Sequence, residues 1–427
     1  MSHRRPKIVI IGAGFAGLRA VRNLAKVEAD VLLIDRNKFH TFVPLLYQVA
    51  TGWIPPQTVA YPIHKYLRSG GNARFLQAEV LGIDFEQKIV TSDRENISYD
   101  YLVIATGSQT KFLGVDGAPK YTYPLRTFNH ALALRDRLLT NFQAASLTEG
   151  AKRQELLTVA IVGGGATGVE LAGAIAELAQ AFFAQNHPEQ NTKHVRIILI
   201  HSQARLLADF PDHLGNYTAR QLRRRGVKVY LETRVSSVMA EAVELNDGTV
   251  IKTAAIIWTA GVEANLPTEA DNLPTAKSEK VCVRPTLQTL AYPEVYAVGD
   301  VAFVKQDGDP LLGIAPEAIQ QGTAVAGNLK RQLQGRSPQP FNYFNKGTAA
   351  IIARNAGVAY LFGKIPLQGW FAWLMWLGIH LYYLPGLNNR LKVFNCWIKD
   401  YFGGARKFTR VPAQATVKQL FSNHSQS

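Results

Sequence analysis

Three glycines near the start of the chain have the spacing of a dinucleotide-binding turn. They follow the apolar run 8–11 in the pattern G-x-G-x-x-G: Gly12, Gly14 and Gly17. Such glycines allow a tight turn, the approach of the backbone to a pyrophosphate, and close packing of a helix on a strand. Residues 16–27 are predicted to form that helix, whose first amides would face the pyrophosphate.

We call Gly12, Gly14 and Gly17 the first cradle, and an acidic residue completes it. The apolar run 31–34 is predicted to be a second strand and ends in Asp35, 23 residues after the first glycine. A carboxylate at this point can accept hydrogen bonds from both hydroxyls of an adenosine ribose. A structural βαβ unit without a ligand is the alternative, but the order of strand, glycines, helix, strand and acid favours a bound dinucleotide.

The same pattern returns in the middle of the chain. The apolar run 158–162 precedes three more glycines, and the alanine-rich segment 169–183 predicts a helix after them. After a polar loop at 185–193, the predicted strand 195–200 ends at His201, 38 residues after the first of these glycines. The glycines of this second cradle are Gly163, Gly165 and Gly168. Two cradles predict two dinucleotides and two Rossmann-like domains.

Small residues end three further predicted strands, where a ligand can approach the backbone. These exits are Ala105–Gly107, Gly261 and the pair Gly299–Asp300. At the last exit a backbone amide can hold a phosphate while the aspartate accepts a hydrogen bond from a sugar-like hydroxyl. A purely structural turn is the alternative for that pair.

Two other segments are expected to be irregular. Residues 39–52 are apolar and contain Pro44 and Gly52, which predicts a loop covered by a flat cofactor ring. The alternative is a loop that faces the core. Residues 115–130 are rich in glycine and proline and are expected to be a linker.

Bulk composition limits the class of protein. A length of 427 residues suggests two or three domains, and 47% hydrophobic residues are typical of a globular enzyme. Cys282 and Cys396 have no metal-binding or redox spacing, so no metal site is predicted and redox work requires a bound cofactor. We expect a retained N-terminus and a cytoplasmic location. The net charge of +15 predicts an anionic partner, but the basic residues are scattered, which argues against nucleic acid.

The C-terminal part has the composition of a membrane-surface segment. Residues 365–389 contain no Asp, Glu, Lys or Arg. Trp370, Trp373 and Trp376 recur every three positions, which we interpret as one side of a helix anchored at a membrane interface. Pro366 and Pro385, which lie within this run, enclose only 18 residues, fewer than the roughly 20 that a spanning helix needs.

Basic residues follow this apolar run. They are Arg390, Lys392, Lys399, Arg406, Lys407 and Arg410, with Asp400 as the one acid among them. An apolar side next to a basic band favours a helix that lies in an anionic leaflet. A buried dimerisation helix and a transmembrane span are the alternatives, and a homodimer that binds a membrane surface satisfies the two leading interpretations.

Longer motifs resemble one known family, the type II NAD(P)H:quinone oxidoreductases, which are flavoproteins with two dinucleotide-binding domains. These motifs are Pro44–Gly52, Gly163–Gly173, Ala318–Gly322, Lys346–Gly347 and the tryptophan-rich C-terminus. The resemblance covers nearly the whole chain. It implies that two electrons pass from NAD(P)H through FAD to a membrane quinone without proton pumping, on the cytoplasmic face of a membrane to which the protein is peripherally attached.

The resemblance also implies a domain organisation. FAD would occupy a discontinuous domain at 1–115 and 280–345, NAD(P)H a domain at 150–279, and the region 346–427 would lie on the flavin and quinone side and anchor the protein. FAD would be contacted by Gly12, Gly14, Phe15, Ala16, Gly17, Asp35, Arg36, Val80, Ala105, Thr106, Gly107, Gly299, Asp300 and Ala318. The nicotinamide dinucleotide would be contacted by Gly163, Gly165, Gly168, His201 and Gly261.

Reacting groups follow from the same resemblance. Glu170 would lie near the nicotinamide and the flavin; the alternative is a carboxylate favoured by the first turn of its helix. Gln320, Gln321 and Lys346 would line a quinone pocket, with the amides donating to quinone carbonyls and the lysine favouring the anionic reduced flavin. The alternative for the two glutamines is a solvated helix face.

Two positions depart from the family pattern. The motif A-Q-x-A-x-Q reads APEAIQ at 315–320, so Pro316 replaces a glutamine and cannot donate a hydrogen bond to a quinone. Quinone binding would then depend on Gln320 and its neighbours. His201 stands where NADH-using relatives carry glutamate, and with Ser202 and Arg205 nearby it would not repel a 2′-phosphate. We therefore predict that NADPH is used at least as well as NADH.

Two other functions remain open from the sequence. One is a soluble NAD(P)H-dependent reductase of a ferredoxin- or rubredoxin-like protein, which has no use for the apolar C-terminal segment. The other is a flavin-containing redox sensor without turnover.

Overall fold

The computed structural model describes residues 4–67, 71–186, 195–267 and 273–403. Within these residues the helices are α1 (Phe15–Leu24), α2 (Leu46–Ala50), α3 (Ile63–Tyr66), α4 (Ala118–Tyr121), α5 (Phe128–Ser146), α6 (Gly150–Leu156), α7 (Ala166–Asn186), α8 (Asp212–Arg224), α9 (Ala315–Leu333), α10 (Trp370–Tyr383) and α11 (Leu387–Tyr401).

The strands of the same residues are β1 (Lys7–Ile11), β2 (Asp30–Asp35), β3 (Phe39–Thr41), β4 (Ala60–Pro62), β5 (Ala73–Gln77), β6 (Val80–Asp84), β7 (Ile89–Ser92), β8 (Asn96–Ser98), β9 (Tyr101–Ile104), β10 (Ser108–Thr110), β11 (Tyr123–Pro124), β12 (Thr158–Val162), β13 (Arg196–Ile200), β14 (Val227–Tyr230), β15 (Val235–Met239), β16 (Ala242–Leu245), β17 (Val250–Lys252), β18 (Ala255–Trp258), β19 (Val262–Ala264), β20 (Val281–Cys282), β21 (Val295–Ala297), β22 (Ala302–Phe303), β23 (Lys305–Gln306), β24 (Asp309–Pro310), β25 (Thr348–Ala353), β26 (Ala356–Leu361) and β27 (Ile365–Gly369).

The chain folds into two compact units, each made of three segments. Unit 1 comprises Met1–Thr41, Tyr61–Gln109 and Val262–Asn345, and unit 2 comprises Phe42–Ala60, Thr110–Gly261 and Lys346–Ser427. Each unit contains one of the two cradles.

Unit 1 is built on a parallel sheet with the strand order β21-β9-β1-β2-β5. Ile8 in the central strand pairs with Val31 on one side and with Tyr101 on the other. It is fully buried, as expected for the apolar central strand of a parallel sheet that is covered on both faces. Helix α1 packs against α9. Their contact is close, because a side chain at Gly322 would overlap the carbonyl oxygen of Ala16.

Unit 2 repeats this architecture with the strand order β11-β18-β12-β13-β14, all parallel. Every residue of β12 is buried. Helix α7 packs on β25, and a side chain at Gly173 would overlap the carbonyl oxygen of Ile352. Each unit therefore contains one five-stranded parallel sheet, which confirms the predicted α/β class with Rossmann-like domains.

The last part of unit 2 is an antiparallel sheet, β25-β26-β27, followed by α10 and α11. Helix α10 packs on β26, and α11 contacts α10. Arg354 fixes the end of α11, since its guanidinium donates to the carbonyl oxygens of Asp400 and Tyr401 and lies over the Tyr401 ring. Its backbone N–H donates to Glu177 of α7 at 2.7 Å. The end of α11 is thus held on unit 2 by specific polar contacts.

The structure corrects the two segments expected to be irregular. Residues 39–52 contain β3, the short 3-10 helix Val43–Leu45 and α2, and all five residues of α2 are buried. Tertiary burial stabilises a helix that is too short to be indicated by periodicity. Residues 115–130 contain α4, β11 and the start of α5, and β11 forms the edge of the unit 2 sheet. Helix α7 continues to Asn186, so Gln185 and Asn186 are helical instead of belonging to the predicted polar loop. Residues 187–193 of that loop lie outside the described residues.

Candidate functional site

Each glycine of the first cradle has a separate steric reason. Gly12 has a φ of +100°, and a side chain there would overlap the carbonyl oxygen of Ala105. A side chain at Gly17 would overlap the carbonyl oxygen of Gly12, so this glycine lets α1 pack on the turn. Gly14 is exposed and has open space where a Cβ would lie. The turn is therefore closely packed at Gly12 and Gly17, and at Gly14 it is open to a ligand.

Asp35 and His40 fix the turn from the inside of unit 1. The Asp35 carboxylate accepts from the N–H of Ala13 at 2.7 Å and from the N–H of Asn37 at 2.7 Å. Burial raises the pKa of Asp35 despite these bonds. His40 Nδ1 lies 2.9 Å from the carbonyl oxygen of Ala13, and its ring meets Phe15 edge to face. Burial lowers the pKa of His40 to about 4, so the ring is neutral. Sequence reasoning missed this histidine.

Three small residues from separate segments meet beside the first cradle. A side chain at Gly299 would lie 3.5 Å from the Cβ of Ala16 and 3.7 Å from that of Ala318. The neighbouring Asp300 accepts a hydrogen bond from Ser108 Oγ at 2.6 Å. The hydroxyl of Thr106 is buried without a hydrogen-bond partner among the described residues. This donor and the small-residue surface fit a nucleotide cofactor, because both leave contacts that a ligand can make.

Two predicted contacts of the first cradle are less constrained. Arg36 is exposed and lies 3.6 Å from Glu79. Val80 is half-buried at the start of β6. The structure shows where both residues lie, and their contact with a cofactor stays a prediction.

The second cradle has the same steric logic. Gly163 has a φ of +114°, and a side chain there would lie 2.7 Å from Thr259 Oγ1. A side chain at Gly168 would overlap the carbonyl oxygen of Gly163, whereas Gly165 is exposed and faces open space. Gly261, at the exit of β18, has a φ of +99°. Unit 2 therefore carries a second turn that is open to a ligand at its middle glycine.

His201 packs directly on the second cradle. Its Nδ1 accepts from the N–H of Gly164 at 3.1 Å, and its Nε2 is buried without a partner among the described residues. Burial lowers the pKa of this ring, which is therefore neutral at neutral pH. Arg205 forms an ion pair with Asp212 and donates to the carbonyl oxygen of Ala208 at 3.1 Å. The position that carries an acid in the family pattern thus holds a neutral ring, and the nearby arginine is already paired.

Glu170 does not lie in the first turn of its helix. Helix α7 begins at Ala166, and its first turn contains no acidic residue. The interpretation of Glu170 as an acid favoured by the helix N-terminus is therefore wrong. Its side chain is buried and accepts hydrogen bonds from the N–H of Ile351 at 3.5 Å and from Trp376 Nε1 at 3.2 Å. Burial raises the pKa of Glu170 to about 8.

A cluster of aromatic and amide side chains reaches Glu170 through Trp376, and sequence reasoning assigned none of them to it. Trp376 is fully buried, so its interpretation as an interfacial anchor is wrong. Its ring is stacked on His380 with ring centres 3.7 Å apart, and it meets Tyr47 at 6.0 Å. Trp397 Nε1 donates to Gln48 Oε1 at 2.8 Å, and Gln48 Nε2 donates to the hydroxyl of Tyr47 at 3.0 Å. The motif at 44–52 therefore supplies core polar contacts to the C-terminal helices.

The predicted quinone residues have defined partners in the structure. Gln320 of unit 1 donates to the carbonyl oxygen of Phe344 and accepts from its N–H, both at 2.9 Å. Gln321 is buried rather than solvated, and its Oε1 accepts from the N–H of Gly299 at 2.6 Å. Pro316 lies in the first turn of α9, where the missing N–H costs nothing. Lys346, which belongs to unit 2, is exposed.

An apolar stripe covers the outer side of α10 and α11. Its exposed members are Trp370, Phe371, Leu374 and Tyr382 on α10, and Leu387, Leu391, Phe394, Ile398 and Phe402 on and after α11. Steps of three and four residues place the α11 members along one helix face. Arg406, Lys407 and Arg410 of the predicted basic band lie outside the described residues. In the described part of the chain, none of the helices has both the length and the apolar character needed to cross a membrane.

Comparison with known proteins defines the class. The sequence model of the pyridine nucleotide-disulphide oxidoreductases matches residues 6–322. The chain is 35% identical to type II NADH:quinone oxidoreductase NdhA of Mycobacterium tuberculosis over 97% of this chain and 91% of that protein. It is 28% identical to the type II NADH:quinone oxidoreductase of Staphylococcus haemolyticus, over 85% and 92% of the two chains. The chain belongs to the type II NADH:quinone oxidoreductases, which confirms the family predicted from its motifs.

The fold comparison agrees with this assignment. The structure superposes on NDH2 from Plasmodium falciparum in complex with NADH with a TM-score of 0.88, covering 95% of this chain and 100% of that one. The identity between the two sequences is 21%, so this likeness concerns the fold. The shared fold accounts for both Rossmann-like units.

Proposed function

We propose that the protein oxidises NADH and passes two electrons through bound FAD to a quinone. The overall balance is NADH + H⁺ + Q → NAD⁺ + QH₂. The observation that carries this function is the similarity to type II NADH:quinone oxidoreductases over nearly the full chain. The two glycine cradles support it, because each leaves its middle glycine open to a dinucleotide. The rival functions, reduction of an iron–sulfur protein and redox sensing, are not favoured by these relatives.

The first cradle is assigned to FAD, together with the exits Ala105–Gly107 and Gly299–Asp300. When bound, FAD supplies the group that accepts a hydride and gives up two electrons, while the protein supplies position and electrostatics. The N-terminal amides of α1 would face the pyrophosphate of FAD, and Asp35 would accept hydrogen bonds from its ribose hydroxyls. The buried hydroxyl of Thr106 is available to donate to the cofactor.

The second cradle is assigned to the nicotinamide dinucleotide. The neutral ring of His201 removes the charge that would repel a 2′-phosphate, so use of NADPH at least as well as NADH stays our prediction. Arg205 is unsuited to attract that phosphate while it is paired with Asp212. We propose domain boundaries at 1–115 with 280–345 for FAD, 150–279 for NAD(P)H and 346–427 for the C-terminal region.

Glu170 is proposed as the buried proton-holding group of the reaction. The overall balance takes up one proton for each NADH oxidised, and burial lets Glu170 keep a proton at neutral pH. Gln320 and Lys346 are proposed to act on the quinone side. An amide nitrogen carries two hydrogens, so Gln320 can donate both to Phe344 and to a quinone carbonyl. The buried Gln321 acts indirectly, by fixing Gly299 through its side-chain oxygen.

The C-terminal helices are proposed to lie on the cytoplasmic surface of a membrane. The apolar stripe of α10 and α11 would enter the interface, while Arg390, Lys392 and Lys399 would face anionic headgroups. A homodimer is also proposed, because a second copy would cover part of the same exposed apolar surface.

One assay separates the proposed function from its rivals. NADH oxidation is measured with a water-soluble quinone, with an iron–sulfur protein, and with neither acceptor. Turnover is expected with the quinone and not with the iron–sulfur protein or without an acceptor. Preferential reduction of the iron–sulfur protein would favour the soluble reductase, and negligible turnover with every acceptor would favour a sensor.

A further inference from the structure

The carboxyl group of Glu170 is held by neutral donors. In the described part of the chain, its hydrogen-bond partners are the N–H of Ile351 and the indole N–H of Trp376. The contact to Ile351 is long, at 3.5 Å, whereas the contact to Trp376 is 3.2 Å. Both end on the same oxygen, Oε1. Trp376 therefore makes the shorter of these two hydrogen bonds, and it makes it through a side chain.

The indole of Trp376 is itself fixed by its neighbours. His380 is stacked on it, Tyr47 meets it at an angle of 65°, and Trp397 lies 6.2 Å away between ring centres. His380 Nδ1 lies 2.8 Å from the carbonyl oxygen of Trp376, one turn back along α10. An indole packed in this way has little freedom to turn its N–H away from Glu170.

The titratable groups around this contact are neutral or engaged elsewhere. Burial lowers the pKa of His380 to about 4 and raises the pKa of Tyr47 well above its ordinary value. On α7 itself, Glu177 accepts from the N–H of Arg354 at 2.7 Å. From α11, Trp397 contributes an indole N–H that is used by Gln48. The contact between Trp376 and Glu170 is thus a single neutral hydrogen bond to an acid.

We propose that Trp376 is a positioning residue that orients the Glu170 carboxyl group and controls the pH at which it gives up its proton. This proposal rests on the function assigned to Glu170 above. A hydrogen bond from an N–H stabilises a carboxylate more than a neutral carboxyl group, so the indole favours ionisation. Loss of the N–H makes ionisation harder and moves the titration of Glu170 to higher pH. The protonated form then persists into the alkaline range.

The chain offers a matched pair of variants. Trp376→Phe removes the N–H that Glu170 accepts, and Trp397→Phe removes a neighbouring indole N–H that goes to Gln48 instead. Both variants lose the same atoms from the same buried cluster. A packing effect would therefore appear in both, whereas loss of the hydrogen bond to Glu170 occurs only in the first.

The test is an infrared pH titration of the protonated carboxyl band of Glu170 in the FAD-containing protein, with Glu170→Gln to assign the band. We expect Trp376→Phe to raise the midpoint by about one pH unit, the scale of one hydrogen bond to a charged group. The alkaline limb of the kcat profile should move by the same amount, and Trp397→Phe should move neither. An unchanged midpoint in Trp376→Phe, or equal shifts in the two variants, would overturn the proposal.

One further readout keeps the proposal testable if the variant fails. If Trp376→Phe does not fold, the indole ¹⁵N–¹H signals of the wild-type protein replace it. One indole signal should shift with pH together with the Glu170 band, and this shift should be lost in Glu170→Gln. If no indole signal of the wild-type protein shifts with the Glu170 band, the proposal is contradicted. The infrared readout needs no turnover. Failure of quinone reduction with a normal shift would therefore count against the proposed function alone.

Discussion

Replacing Glu170 with glutamine is expected to stabilise the protein more at neutral pH than in mild acid. Burial raises the pKa of Glu170 from 4.5 to about 8, so the native state keeps a proton that the unfolded chain releases above its own pKa. The stability of the wild-type protein therefore falls as the pH rises from the unfolded pKa to the folded pKa, and it levels off above that. Glutamine has the same shape and stays neutral, so the variant avoids this loss.

The size of this change in stability follows from the pKa shift of Glu170. Each pH unit inside this window changes stability by about 1.4 kcal/mol, so the step from about pH 5 to about pH 7.5 changes it by about 3 kcal/mol. Glu170 belongs to unit 2. For a folded unit of that size, each kcal/mol of added stability raises the midpoint of thermal unfolding by roughly 2–4 °C. The midpoint of Glu170→Gln relative to wild type should therefore rise by roughly 6–12 °C between the two pH values.

Thermal unfolding of the FAD-saturated proteins, followed by tryptophan fluorescence at the two pH values, measures this difference. The exposed Glu95→Gln removes one carboxylate elsewhere in the chain and serves as the control. A difference between Glu170→Gln and wild type that is equal at both pH values would refute the argument that Glu170 is buried as a neutral acid.

Three further predictions concern the cradles and the surface. Gly14→Ala should fold normally, because its Cβ meets no atom within 4 Å, but it should weaken FAD binding by about tenfold. Gly17→Ala should in addition destabilise the fold by about 1–3 kcal/mol. Flavin absorbance measures the loss of FAD, and unfolding midpoints measure the loss of stability. His201→Glu should lower kcat/KM for NADPH at least about tenfold and leave the value for NADH nearly unchanged, because a carboxylate repels the 2′-phosphate; an unchanged NADPH value would contradict this role. Leu391→Glu should weaken binding to anionic vesicles at least about tenfold, since about 1.5–3 kcal/mol of free energy from transferring the leucine side chain out of water is lost. Sedimentation with vesicles measures this binding. Leu147→Glu, which replaces an exposed leucine just after α5, is the control.

Local patterns in the sequence were sufficient to predict the two glycine turns that form the cradles. The glycines of the first cradle and Asp35 lie within one βαβ segment, so their spacing can be recognised from a short stretch of sequence. The steric reason for Gly12 also involves the distant Ala105, which the sequence pattern does not show. The structure supplies the same reasons sterically, since Gly12 and Gly17 leave no room for a side chain. The family motifs extended this to the family of the protein, which the comparisons confirm.

The surroundings of Glu170 were beyond the reach of sequence patterns. Trp376 lies 206 residues from Glu170, and Trp397 lies 349 residues from Gln48, so these contacts exist only in the folded chain. The spacing of the three tryptophans was also misleading. At about 100° per residue, each step of three turns back by about 60°, so Trp370 and Trp376 are about 120° apart around α10. Trp370 is consequently exposed, whereas Trp376 is fully buried.

The most direct test of the proposed function is an anaerobic stopped-flow experiment on the purified protein with its bound flavin. Mixing with NADH should bleach the flavin absorbance, and a second mixing with a water-soluble quinone should restore it at a rate no slower than turnover. Protein that carries no flavin, or reduced flavin that the quinone does not reoxidise, would contradict the assignment of this chain as an NADH:quinone oxidoreductase.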